Sequence, residues 1–198
     1  MRQIRIAALL SLALAAVSCA QPPQEQVAAA QAALQATARN TDVVTYAPES
    51  LRTVQESMND LDGELAAQLR RSVLTRSFDA AQQLAAKVLA DAGTAVTEAA
   101  AAKRSVAEAT GPLIAATADA AAGVEKRLWA ARRVRGIRND FLAARAEDIA
   151  RLRAMLADAQ KDFDAGSFAA ANAKAMAAQS ALGGIDGKIS EAVRLARR

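Results

Sequence analysis

The sequence predicts an all-α protein, an elongated antiparallel helical bundle of coiled-coil-like hairpins, and three observations lead there. Alanine fills 55 of 198 positions, and it is the best helix former because it loses no side-chain entropy. Apolar residues recur three and four apart along much of the chain, whereas runs of β-branched and aromatic residues at period two are missing. Only 3% of residues are aromatic, so each helix buries little area and a thick globular core is not expected. Long helices with narrow seams suit this composition.

The amino terminus reads as an export signal. Arg2 and Arg5 form a basic n-region, and Ile6 to Val17 is an apolar run interrupted only by Ser11. Its 12 residues fall short of the roughly 20 that cross a bilayer, which predicts a signal peptide over residues 1–18. The sole cysteine follows at once, in Ala16-Val17-Ser18-Cys19. This segment resembles a bacterial lipobox, in which small residues precede a cysteine that is alkylated with diacylglycerol and becomes the new amino terminus. The resemblance implies lipidation at Cys19; the alternative is ordinary cleavage after Ala20, with Ser18 and Ala20 as the small pair. Ala20, where inner-membrane lipoproteins carry Asp, implies by the same resemblance an outer-membrane anchor facing the periplasm. Residues 19–24 then form a lipidated tether containing Gln21-Pro22-Pro23-Gln24.

A helical domain is expected over 25–198. Val27, Ala30, Leu34 and Ala38 predict a first helix from Glu25 to Arg39, ended by Asn40-Thr41-Asp42. Pro48 suits the first position of the next helix, where its missing N–H would have had no partner, and Glu49 suits the dipole. Leu51, Val54, Met58, Leu61 and Leu65 then make an a/d seam of about two heptads. A loop is expected around Arg71 to Ser77, followed by a helix on Ala81, Leu84, Val88, Ala92, Ala95, Ala99 and Val106.

Gly111-Pro112 is the clearest punctuation in the chain. From Pro112 a third helical pattern runs towards Phe163 through Leu113, Ala120, Val124, Val134, Ile137, Phe141, Leu152 and Met155. If continuous it measures about 75 Å, with bends expected at Gly123 and Gly136. Asp164-Ala165-Gly166-Ser167 predicts a turn, and a last helix runs from Phe168 to near Arg197, with Gly183-Gly184 as a weak point. Ser77-Phe78-Asp79-Ala80-Ala81 and Ser167-Phe168-Ala169-Ala170-Ala171 both open Ala-rich helices, suggesting repeats over 46–110 and 112–198. Duplication of a hairpin explains the likeness; so does chance in a chain this rich in alanine.

Tyr46-Ala47-Pro48, Leu51, and Phe78 followed by Ala81, Leu84 and Ala85 resemble an uncharacterised family of Ala-rich bacterial exported domains. These are helical hairpins of unknown function, often found in lipoproteins. The likeness covers about Tyr46 to Ala100 and departs from the pattern in the longer stretch between Leu51 and Phe78 and at Val54-Gln55. It implies helical architecture and an envelope address, and supplies no catalytic residue.

Composition narrows the chemistry. There is no histidine and one cysteine, so His-based acid–base catalysis, Ser-His-Asp and Cys-His arrangements and His/Cys zinc sites lack their parts. No catalytic residue, cofactor or metal is expected. Setting Arg2 and Arg5 aside, 23 basic residues face 21 acidic ones, a net charge of +2.

The asymmetric feature is the run holding Lys126, Arg127, Arg132, Arg133, Arg135 and Arg138, with no acid among them and Trp129 inside. One reading is a contact for anionic lipid or glycan. The other is an exposed mid-helix segment, since at 100° per residue these charges fall all round a helix. Nucleic acid is not expected. Glu147, Asp148, Asp158, Asp162 and Asp164 lie within reach of Arg145, Arg151, Arg153 and Lys161 and read as solvated pairs.

The expectation is therefore an envelope lipoprotein, membrane-held through Cys19, that acts as a scaffold or tether for an envelope protein partner; self-association is compatible with it. The chain ends Ala196-Arg197-Arg198, without the terminal lysine that links some small helical lipoproteins to peptidoglycan. Wall attachment by that route is not expected.

Overall fold

The computed structural model describes residues 21–197, and among them there is no strand. The signal peptide expected over 1–18 and the expected lipidation site Cys19 lie outside the described residues. The α-helices run α1 Gln24–Arg39, α2 Thr41–Tyr46, α3 Pro48–Leu69, α4 Asp79–Ala131, α5 Asn139–Asp164 and α6 Phe168–Ala196, with a 3-10 turn at Val73–Thr75. The all-α expectation holds. Two compact units divide the chain, Met1–Ala102 and Lys103–Arg198. The division falls inside α4, ahead of the Gly111-Pro112 boundary expected for the repeats.

In the first unit, one residue closes a helix and opens the next. Asn40 ends α1, and its side-chain oxygen accepts from the Asp42 and Val43 N–H groups at 3.0 and 3.4 Å, capping α2. The short α2, unexpected from sequence, drops fully buried Val43 into the core. Ala47 then turns the chain and Pro48 starts α3. The expected seam is real: Val54, Met58 and Leu61 are buried, with Leu51 and Leu65 packed alongside. It meets Ala30 of α1 and Phe78, Ala81, Ala85, Val88, Ala92, Ala95 and Ala99 at the start of α4.

In the second unit, Ala121, Val124, Leu128 and Ala131 of α4 face Leu142, Ile149, Leu152 and Leu156 of α5. Ala178, Leu182, Ile185 and Ile189 of α6 complete the core. Spacings of three and four recur on each helix, the period of helices crossing at shallow angles.

Two expectations about punctuation are overturned. The helix does not stop at Gly111-Pro112: α4 passes straight through Pro112. A proline inside a helix removes one hydrogen bond, here to the carbonyl of Glu108, and crowds that carbonyl. Pro112 and Glu108 are both exposed, so water reaches the freed carbonyl. On the opposite face, buried Thr110 and Ile114 hold the helix in place, and the Phe163 ring lies 3.5 Å from where a Cβ on Gly111 would stand.

Nor is 112–163 one rod. The chain breaks between Ala131 and Asn139, where clustered arginines meet Gly136 at φ +98°, a left-handed conformation that glycine adopts without penalty. In α4 it is Ala121, not Ala120, that is buried, and Val134, Ile137 and Phe141, in or just after the break, are only partly covered.

Other signals behave as read. Gly166, at φ +76°, ends α5 as the amide of Ser167 reaches back to the Asp162 carbonyl at 2.8 Å. By contrast, the bend expected at Gly123 and the weak point expected at Gly183-Gly184 leave their helices unbroken.

If these seams hold the units together, Leu61→Ala and Leu152→Ala, both at fully buried sites, should each cost about 2–5 kcal/mol. Urea denaturation followed by far-UV circular dichroism measures this. A loss at either site within about 0.5 kcal/mol, the range of surface substitutions, would contradict the packing.

Candidate functional site

The basic run occupies the last turns of α4 and the whole of the following loop. Lys126 and Arg127 are exposed on the helix; Arg132, Arg133, Arg135 and Arg138 lie in the loop. The mid-helix expectation for this segment therefore fails, because the helix ends at Ala131. Acids outside the run neutralise two members. Arg127 Nε pairs with Asp186 of α6 at 2.7 Å, and Arg138 pairs with Asp140. That hydrogen bond from Arg138 holds the Asp140 carboxyl below its ordinary range. Lys126, Arg132, Arg133 and Arg135 have no carboxylate within pairing distance among the described residues.

Trp129, 59% exposed, stands beside them with the Arg132 guanidinium 4.1 Å from its ring centroid. The stack fixes Arg132 and leaves an indole at the surface. Next to it a groove of about 340 Å³ runs between the ends of α4 and α6. Ala130, Ala131, Val134, Ile189 and Val193 line it, with Arg127 and Arg197 at its margins. Cations around an apolar groove can take an anion that carries a hydrocarbon part. Arg197 and the groove were not legible in the sequence, because the chain reversal that adds the end of α6 to this surface carries no local signal.

Most carboxylates of α5 are engaged. Arg145 pairs with Asp148 at 2.9 Å, Arg151 pairs with Asp148, and Asp164 accepts from Gln160 at 2.8 Å. Two pairs cross between helices, Lys174 to Asp162 at 2.6 Å and Arg153 to Glu125. The sequence suggested partners on the same helix; the neighbouring helices supply these two. Among the described residues no group of three acids, cysteines or histidines could hold a metal ion, and no helix is long and apolar enough to cross a membrane.

A second cluster escaped sequence reasoning. Ser57 of α3 donates to Asp91 Oδ2 of α4 at 2.6 Å, and Lys87 Nζ sits 2.7 Å from that same oxygen and bonds Ser57 Oγ as well. A serine against a lysine brings a nucleophile–base pair to mind. Here Ser57 is only 2% exposed, closed to substrate, and Lys87 is ion-paired with Asp91. The cluster is a polar clasp between α3 and α4.

Burial raises the Asp91 carboxyl, but hydrogen bonds from Lys87 and Ser57 and the Lys87 charge outweigh it, and its pKa is lowered. The ionised clasp thus stabilises the fold above the ordinary carboxylate range, and its contribution disappears as pH falls through the lowered value.

The described residues begin at Gln21, two positions after Cys19. The Pro23 carbonyl accepts from the Val27 N–H at 3.0 Å, which seats the prolines at the head of α1. Comparisons with protein-family models, curated proteins and solved structures return no match.

Asp91→Asn should lower stability at neutral pH by about 1–3 kcal/mol. Its deficit against the unaltered chain should shrink on acidification. Thermal melts across pH check this, and a gap that stays constant down to acid pH would contradict the clasp.

Proposed function

We propose that the chain is an exported lipoprotein of the bacterial envelope that works by holding on to another component and performs no chemistry of its own. One observation carries this reading: the only cysteine stands directly behind a 12-residue apolar leader, at the position where a lipobox places its acylated residue. Two or three acyl chains there would anchor stably, where a single one binds reversibly. The helical units suit a scaffold, since their cores are narrow seams and their faces are long and charged. The family likeness around Tyr46 to Ala100 supports the same address. Cys19→Ser should remove the protein from the outer-membrane fraction, and undiminished recovery there would count against the anchor.

A second reading, favoured by the four uncompensated cations beside Trp129, is that residues 126–138 contact anionic lipid or glycan. Each such cation near an anionic surface contributes about 1 kcal/mol. Joint charge reversal, Arg132→Glu, Arg133→Glu and Arg135→Glu, should therefore weaken binding of the Cys19→Ser chain to phosphatidylglycerol vesicles at least about tenfold. Vesicle flotation reads it; unaltered binding would discard this contact.

A further inference from the structure

The loop between α3 and α4 inverts the usual placement of polar and apolar side chains. Gln68 is buried at its base, where its side chain donates to Glu64 Oε1 at 2.7 Å and accepts from the Ser77 N–H at 3.2 Å. Arg76 folds back so that its guanidinium donates to the carbonyls of Leu69 and Arg71 at 2.9 and 3.0 Å. The Leu69 carbonyl, left over at the end of α3, and the Arg71 carbonyl just beyond it thereby gain partners.

The tip of the loop is shaped by these polar ties, and the apolar side chains there are turned outward, while Phe78 at its end is buried. Leu74 is 95% exposed, Val73 58% and Leu69 52%. Arg70 and Arg71 flank them, exposed and without a carboxylate partner among the described residues. Three exposed apolar side chains gathered at one braced loop form a patch that gains by entering an apolar phase.

The chain itself indicates which phase. Gln21, Pro22, Pro23 and Gln26 share a shallow depression with Gln82, and Gln82 donates to the Phe78 carbonyl in the first turn of α4. The head of α1 and the end of this loop thus occupy one pole of the first unit. Gln21 is two residues beyond Cys19, and two residues reach at most about 7 Å.

We propose that Val73 and Leu74 insert into the bilayer that holds the Cys19 acyl chains, with Arg70 and Arg71 on its phosphates, so that the first unit stands on the membrane at two points. This rests on the lipoprotein reading. Glu25 and Asp79 share the pole, so the preference for anionic lipid is modest and apolar insertion dominates.

The test uses the full-length chain, processed in cells and reconstituted into phosphatidylglycerol–phosphatidylcholine vesicles with brominated acyl chains. Trp129→Phe removes the native indole. Leu74→Trp then places a reporter at the loop, and Leu89→Trp places a control on the exposed flank of α4, where Leu89 is 43% exposed. At a depth of 5–10 Å below the headgroups, the position-74 reporter should show a blue shift and about twofold quenching, while the control stays unquenched. Protein that floats with the vesicles but shows no quenching at position 74, or equal quenching at both positions, overturns the loop contact and leaves the anchor standing. Protein that does not float overturns both.

Discussion

Close approach of helix backbones across alanine is the constraint on which the rest of this structure depends. Ala81, Ala85, Ala92, Ala95 and Ala99 on one helix, and Ala171, Ala175 and Ala178 on another, are buried at seam positions. A methyl group there lets the neighbouring helix come near, and larger knobs such as Leu61, Leu152 and Ile189 fill what space remains. Each contact buries little apolar area, so stability accrues only over many turns. That is why α4 runs for 53 residues and why an internal proline is accommodated instead of ending the helix. Pro112 is tolerated because it stands on the wet face, off the seam.

Narrow seams leave much of each helix in water, and polar groups take over the flanks. The Ser57–Lys87–Asp91 clasp in the first unit and the Arg127–Asp186 and Lys174–Asp162 pairs in the second are ties between helices whose apolar contact is thin. Exposed pairs of this kind contribute little singly; a shared, half-buried oxygen such as Asp91 Oδ2 contributes more. The same economy shapes the loops. The 70–78 loop is braced by Gln68 and Arg76, and the 132–138 loop by Gly136 and the Arg138–Asp140 pair. These ties leave Leu74 at the tip of the first loop, and Trp129 on the helix just before the second, free to meet something else.

Much of the fold was legible because helix periodicity is written in nearest neighbours along the chain. The Leu51-to-Leu65 seam, the Pro48 start and the Asp164–Ser167 turn all follow from local rules. Features set by the other side of a contact were not legible. Gly111-Pro112 looks like a stop until one knows that Pro112 faces solvent, and Arg132 to Gly136 looks like helix until Ala131 ends the seam. The short α2 was hidden because Asn40 serves two helices at once. For the candidate surfaces, the sequence marked the basic run but gave no sign of the groove beside it. The exposed Val73-Leu74 pair was readable only as loop, since exposure belongs to the fold. Cys19 is the reverse case, an expectation drawn from the lipobox resemblance and lying outside the described residues.

The account stands or falls on what becomes of that cysteine. Mass analysis of the amino-terminal peptide of the membrane-extracted protein tests it most directly. The expected result is a chain beginning at Cys19 and carrying a diacylglycerol thioether with its acyl chains. A chain that begins at Gln21, or one that retains the leader with a free thiol, would contradict it.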